Sequence, residues 1–300
     1  MTRMHAVPAT ALGLALLLSA CAEQGGAGAA PPTSAPAGVT LPDDPDVPVL
    51  QVEYTGGFVT PETIAGRLPL LSVHADGRVF SQGPVPAIYP GPAWPNVLVH
   101  QADPADVAEL VRHALDAGVA GTADLGMPGI ADAPSTRFTV TTAEGTTVRE
   151  VYALQEGAGA TAGLTDEQQA ERAELAELFA ELTDLPFTLD PQGGAASSYE
   201  PTAVAALVRP WTAPEADPVV DLPLEQPAVA WPGPALPGEP LNPLLHCALA
   251  TGEQAQAVTA AARAATGLTP WTTADGARWA ISFRPLLPHE TGCSDLTGRG

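Results

Sequence analysis

Three cysteines and six histidines are the residues of this chain best equipped for chemistry. Cys247 and Cys293 each stand near a histidine: His246 adjoins the first, and His289 precedes the second. In an oxidising compartment an isolated cysteine pair is most simply a disulfide. Such a bridge would fasten a strand at 244–250 to the tail beyond the last hairpin and contribute about 2–4 kcal/mol. Zinc also accepts thiolates and imidazoles, but its sites draw ligands in pairs roughly two to five residues apart, a spacing this chain lacks. The disulfide is the leading reading, with a metal site and free thiols as its rivals; no metal and no cofactor is expected. His74, His100 and His113 fall on predicted strands or a helix, and no serine sits beside a histidine. There is no Gly-x-Ser-x-Gly, and Ser-x-x-Lys is impossible in a chain without lysine. A dinucleotide fingerprint, a P-loop and HExxH are all absent, and His289-Glu290 lacks the second histidine. The expectation is a protein that is not an enzyme.

Aromatic residues offer one further signal. Tyr89, Trp94 and Trp231 sit in proline-rich stretches that cannot be regular structure. Aromatics framed by proline can line a groove for a sugar or a peptide, although more often they cap the edge of a core. These three are the candidate ligand-groove residues.

The third cysteine carries an address. Arg3 precedes an apolar run from Ala9 to Leu18, and the run ends in Leu18-Ser19-Ala20-Cys21. A basic start, a short apolar stretch and small residues at the cut are the layout of a secretory signal peptide. Leu-Ser-Ala-Cys resembles the lipobox of bacterial lipoproteins at all four positions. That resemblance implies a signal peptide over residues 1–20 and a diacylglyceryl group on Cys21, the first residue after cleavage. Two acyl chains give stable anchoring where one does not. The apolar run falls short of the ~20 residues that span a bilayer. The expected location is therefore the extracytoplasmic face of the cell membrane, with the membrane engaged through lipidated Cys21.

Composition narrows the partners. All 12 basic residues are arginine, and the net charge is −22. Such a surface repels nucleic acid, so none is expected as a partner. An envelope protein or a small ligand is expected instead. Residues 21–48, rich in Pro, Ala and Gly and ending in Asp43-Asp44-Pro45-Asp46, predict a disordered tether. It would reach about 30 Å as a coil and about 80 Å if extended.

The elements that must position any site begin near Val49, where residues 49–54 alternate like a strand. Asp76-Gly77 between two apolar runs predicts a hairpin with a type I′ turn, and Asp275-Gly276 predicts another. A third is expected around Glu144-Gly145. Asp103-Pro104 opens a helix, as N-cap and first residue. Thr165 and Gln168 form a capping-box pair before an apolar stripe of Leu175, Leu178, Phe179, Leu182 and Leu185. An Ala-rich helix is expected over 254–265 and a buried strand over 203–209. Residues 212–243 read as a long irregular connection. The predicted fold is α+β: antiparallel hairpins packed with two or three helices. Its expected divisions are residues 49–190 and a smaller α+β unit over 199–300, separate or packed into the same domain.

Tyr89 to Pro95 resembles Trp231 to Pro237, and each is followed by a strand holding a histidine, a helix and a hairpin. This shared order raises the prospect of two similar halves, which requires one strand order in both. Lipobox, tether, Gly-Gly-Phe-Val, the Asp-Gly-Arg-Val hairpin, Tyr-Pro-Gly-Pro-Ala and the closing Arg-Pro-Leu-Leu-Pro-His-Glu together resemble a group of uncharacterised actinobacterial lipoproteins. That resemblance covers most of residues 50–293 and implies a location without an activity. The functional expectation is a membrane-anchored envelope lipoprotein that binds or scaffolds a partner. The alternative is a cell-envelope hydrolase whose site is assembled from residues distant in sequence.

Overall fold

Local signals become elements where physical chemistry requires them. In the computed structural model, which describes residues 38–159, 162–214 and 225–297, Asp103 accepts from the Ala105 amide and opens a helix over Pro104–Ala114. Thr165 and Gln168 exchange both capping-box hydrogen bonds at the start of a helix over Asp166–Leu189. The expected signal peptide, Cys21 and the tether up to residue 37 lie outside the described residues.

In chain order the elements are β1 (Pro48–Gly56), α1 (Pro61–Gly66), β2 (Leu71–His74), β3 (Arg78–Gln82), β4 (Val97–Gln101), α2 (Pro104–Ala114), β5 (Pro134–Thr142) and β6 (Gly145–Tyr152). Then follow α3 (Asp166–Leu189), β7 (Ser197–Ser198), β8 (Ala203–Pro210), β9 (Val229–Ala230), β10 (Glu239–Asn242), β11 (Leu245–Thr251), α4 (Gly252–Arg263), β12 (Trp271–Thr272) and β13 (Arg278–Pro285). The fold is α+β. One sheet has the order β6-β5-β1-β2-β3-β4-β7, and the other β10-β11-β8-β13-β12-β9. All pairings are antiparallel except the short one between β9 and β12.

Several expectations need correction. In the first Asp-Gly turn only Gly77 has a positive φ, +89°, and its amide donates to the His74 carbonyl. A type I′ turn needs positive φ at both central residues. The chain instead makes the longer turn in which a single left-handed glycine closes the loop. Gly276 does the same before β13. The connection expected to be irregular over 212–243 contains β9 and β10, which pair at opposite edges of the second sheet. Residues 38–47, assigned to the tether, lie on the folded part. Val39 and Leu41 pack on its first core, and the Thr40 carbonyl accepts from the Ala143 amide. Asp46 pairs with Arg78 at 2.9 Å. Two apolar side chains and an ion pair hold down a stretch whose composition reads as linker.

The two halves do not share a strand order. After the first proline-rich stretch, β4 is separated from the hairpin β5-β6 by three strands; after the second, β11 is separated from β13-β12 by β8 alone. Similar order along the chain therefore builds different sheets. The described residues from 38 onward belong to one compact unit.

Each sheet packs one face against helices. Leu50, Val52, Leu71, Val73 and Val79 meet α2 and α3 across a core that also holds Phe138, Leu175, Leu178 and Leu182. Ala206, Val208, Ala248 and Phe283 meet Ala255, Val258 and Ala262 of α4. The opposite faces turn toward each other and are closed differently. On the second sheet Leu207, Leu245 and Cys247 pack with Ala65 of α1, Leu286 and Leu296. On the first sheet that face holds Gln51, Ser72, His74 and Phe80, all buried. The segment Leu286–Glu290 covers it, with the rings of His289 and His74 6.0 Å apart. Arg284 and Glu290, fully buried, pair at 2.7 Å beneath it.

Candidate functional site

The disulfide reading of Cys247 and Cys293 agrees with the structure: the two sulfurs are at bonding distance, with Cα atoms 6.0 Å apart. Sulfurs bonded to each other cannot serve as thiolate ligands. Among the described residues no group of three or more His, Cys, Asp and Glu side chains converges as a metal site. His246 and His289 therefore stand beside a staple.

The three groove aromatics do not converge. Trp231 donates from its indole nitrogen to the Pro234 carbonyl at 2.6 Å, stacks against Phe283 and meets Trp271 edge to face. It belongs to the core under α4. Tyr89 is 63 % exposed beside Ile88, also 63 % exposed, on the loop between β3 and β4. Trp94 alone lines a groove, of about 310 Å³. Its ring lies 6.3 Å from Phe283, and the Arg263 guanidinium sits 5.9 Å from its centroid. Trp94 and Trp231 thus reach the same Phe283 from two proline-rich stretches.

Three segments far apart in sequence form the groove. The first runs from Pro84 to Val97 and is folded back on itself: the Gly83 amide donates to the Asn96 carbonyl, and the Asn96 side chain donates to the Pro84 carbonyl. A Cβ on Gly83 would come within 2.4 Å of the Asn96 side-chain nitrogen, so a larger residue there would displace the side chain that closes this crossing. The second segment is Ser198-Tyr199-Glu200, and the third is Arg263 at the end of α4. Residues 91–93 are hydrogen-bonded to the turn after α4, through Ala93 to Ala265 and Gly267 to Gly91. The groove therefore spans the seam between the sheets.

Its polar groups are committed to one another. Arg263 pairs with Glu200 at 2.7 Å. The Tyr199 hydroxyl donates to the Leu286 carbonyl at 2.7 Å. Burial and the nearby Glu290 push its pKa up to about 12. The phenol is held neutral as a structural donor, facing away from general-base work. Proline, valine and a tryptophan edge supply the remaining surface. The arrangement suits an apolar or extended ligand held by shape and a few hydrogen bonds.

The groove has a defined place along the strands. Pro48 pairs opposite His74, and Arg78 opposite Gln101, at the end of the first sheet where residues 38–47 join it. Gln82 pairs opposite Val97 at the other end, beside Pro84 and the groove. The five residues of β3 separate the two ends by about 16 Å. Sequence reading missed Tyr199, Glu200 and Arg263, whose meeting depends on β7 pairing with β4.

The chain matches no family model, no curated protein and no solved structure.

Proposed function

We propose that this chain is an extracytoplasmic lipoprotein of the cell envelope, held to the membrane through a diacylglyceryl group on Cys21, whose folded part binds a partner without turning it over. The observation that carries this reading is an opposition of ends. The segment arriving from Cys21 joins the first sheet at one end, while the groove and its exposed rim residues Ile88 and Tyr89 lie at the other. Lipobox and disulfide support the compartment, since disulfides persist where the surroundings are oxidising.

Photocrosslinking from Ile88 tests this. The full chain would carry a photoreactive residue at Ile88 or, as control, at Val148, an exposed position on β6. The expected result is one discrete adduct from Ile88 and none from Val148. Added unlabelled wild-type chain should suppress it, and added Ile88→Asp chain should not. Equal adducts from both positions, or none from either, would remove the groove from the account. Turnover of a peptide, ester or peptidoglycan substrate that a single groove substitution abolishes would replace binding with hydrolysis.

A further inference from the structure

Among the described residues, Arg172 is the one arginine buried on the helical side of the first sheet without a charged partner. It lies on α3, one turn before Leu175, and is only 5 % exposed. Its Nη2 donates at 2.9 Å to the carbonyls of Tyr152 and Ala153. Its Nη1 is buried with no hydrogen-bond partner among the described residues. Among the described residues no carboxylate lies within ion-pair distance, and burial pulls its pKa below the ordinary arginine value. An uncompensated buried cation is costly, whereas nearly every buried charge in a folded protein is paired. By contrast Arg284, the most deeply buried arginine, has Glu290 at 2.7 Å.

Arg172 also lines an open surface cavity of about 480 Å³, whose rim residues Ala173 and Ala180 are exposed. Leu154 and Leu164 form part of the wall, and α3 contributes Ala173, Ala176 and Ala180, which leave the space open because they carry no more than a methyl group. Gly157 approaches Arg172 closely: a Cβ there would meet Nη2 at 3.3 Å. The lining is mainly apolar. Its one carboxylate, Glu177, is exposed to water, so the opposing charge is screened while that of Arg172 is not. An apolar cavity with one deep, unbalanced positive charge is complementary to a molecule with one negative charge and an apolar tail. A monoanion balances the site; a dianionic phosphate would leave a charge over.

We infer that this cavity is a binding site for a single-chain carboxylate amphiphile, a fatty acid, with its carboxylate paired to Arg172 and its chain laid along Ala173, Ala176 and Ala180. This site is separate from the seam groove and stands whether or not that groove binds a partner. Nη1 is covered in the structure, so the carboxylate reaches it by displacing part of the wall contributed by Gly157 to Gly159.

The test uses the full chain with Cys21→Ser, which carries no acyl group of its own, and palmitate labelled with carbon-13 at the carboxyl. The expected result is saturable binding of one palmitate per chain, with a carboxyl resonance distinct from that of free palmitate. Methyl palmitate, the same chain without the charge, should bind at least tenfold more weakly. Arg172→Gln should abolish the preference for the acid over the ester. Because that variant also loses two hydrogen bonds, Ala176→Phe provides the second arm. It fills the cavity while leaving Arg172 intact, and should abolish binding with the thermal transition retained. Failure of palmitate to bind would overturn the inference, as would equal binding of acid and ester or undiminished binding by Ala176→Phe.

Discussion

The two sheets solve one problem in opposite ways. Each has a second face, turned away from the long helices, that must be closed within one molecule. The second sheet closes its face with aliphatic side chains and the Cys247–Cys293 bridge. The first closes its face with polar groups: Gln51, Ser72 and His74 lie under the closing segment, whose Glu290 is locked to Arg284 of β13, reaching across from the second sheet. Arg284 also donates to the carbonyls of Arg67 and Pro285, while Glu290 accepts from the Leu287 amide at 2.7 Å. A covalent staple holds one side through chain entropy, and a satisfied polar network holds the other through directionality. Apolar contact tolerates sliding, whereas a buried network fails when any member moves. The polar side should therefore set the relative placement of the sheets and hence the shape of the seam groove.

Breaking the polar side should cost most. Glu290→Gln leaves Arg284 buried without its counter-charge, and such a loss costs about 3–5 kcal/mol. Denaturant unfolding should show this as a lower midpoint with unchanged slope. Opening the staple should cost somewhat less. The bridge joins residues 46 apart, and the chain-entropy contribution for a loop of that size is about 4 kcal/mol at most. Cys247→Ala with Cys293→Ala should lower stability by about 2–4 kcal/mol in the same measurement and leave the pH response of the polar face intact.

Acid should distinguish the faces without mutation. Burial lowers the His74 pKa to about 4, from 6.5 when exposed; the Pro45 carbonyl and Asp76 oppose the shift, while His289 and Arg78 reinforce it. The unfolded chain then binds more protons than the folded one between those values. Stability falls as pH drops from about 6.5 to about 4, by about 3 kcal/mol at the limit. His74→Gln should flatten that part of the pH–stability curve. The smallest effect belongs to the rim: Glu200→Gln breaks an exposed pair with Arg263 and should change stability by less than ~1 kcal/mol. A larger loss there would make the groove part of the structural joint.

Much of this architecture was legible because its signals are local. Thr165 with Gln168, Asp103 with Pro104 and the two Asp-Gly turns each fix an element within a few residues. The class α+β follows from them. Strand order did not, because pairing β1 with β5 joins residues some 90 apart and leaves no local trace. Helix α1 is six residues long, too short for a periodic pattern, although Thr60 caps it through the Thr63 amide. Of the groove only Trp94 was foreseen, since Tyr199 and Arg263 reach it by tertiary contact. Arg172 did leave a signal. It stands three residues before Leu175 on the apolar stripe of α3, where a charge has to be explained by what it meets.

The central proposal is that the chain is anchored at Cys21, and it is tested most directly by intact and N-terminal peptide mass spectrometry of the chain extracted from membranes. The account predicts a mature chain that begins at Cys21 and carries a diacylglyceryl group on that residue, absent from Cys21→Ser. A chain released into the medium without the modification, or one that begins at another residue, would contradict it.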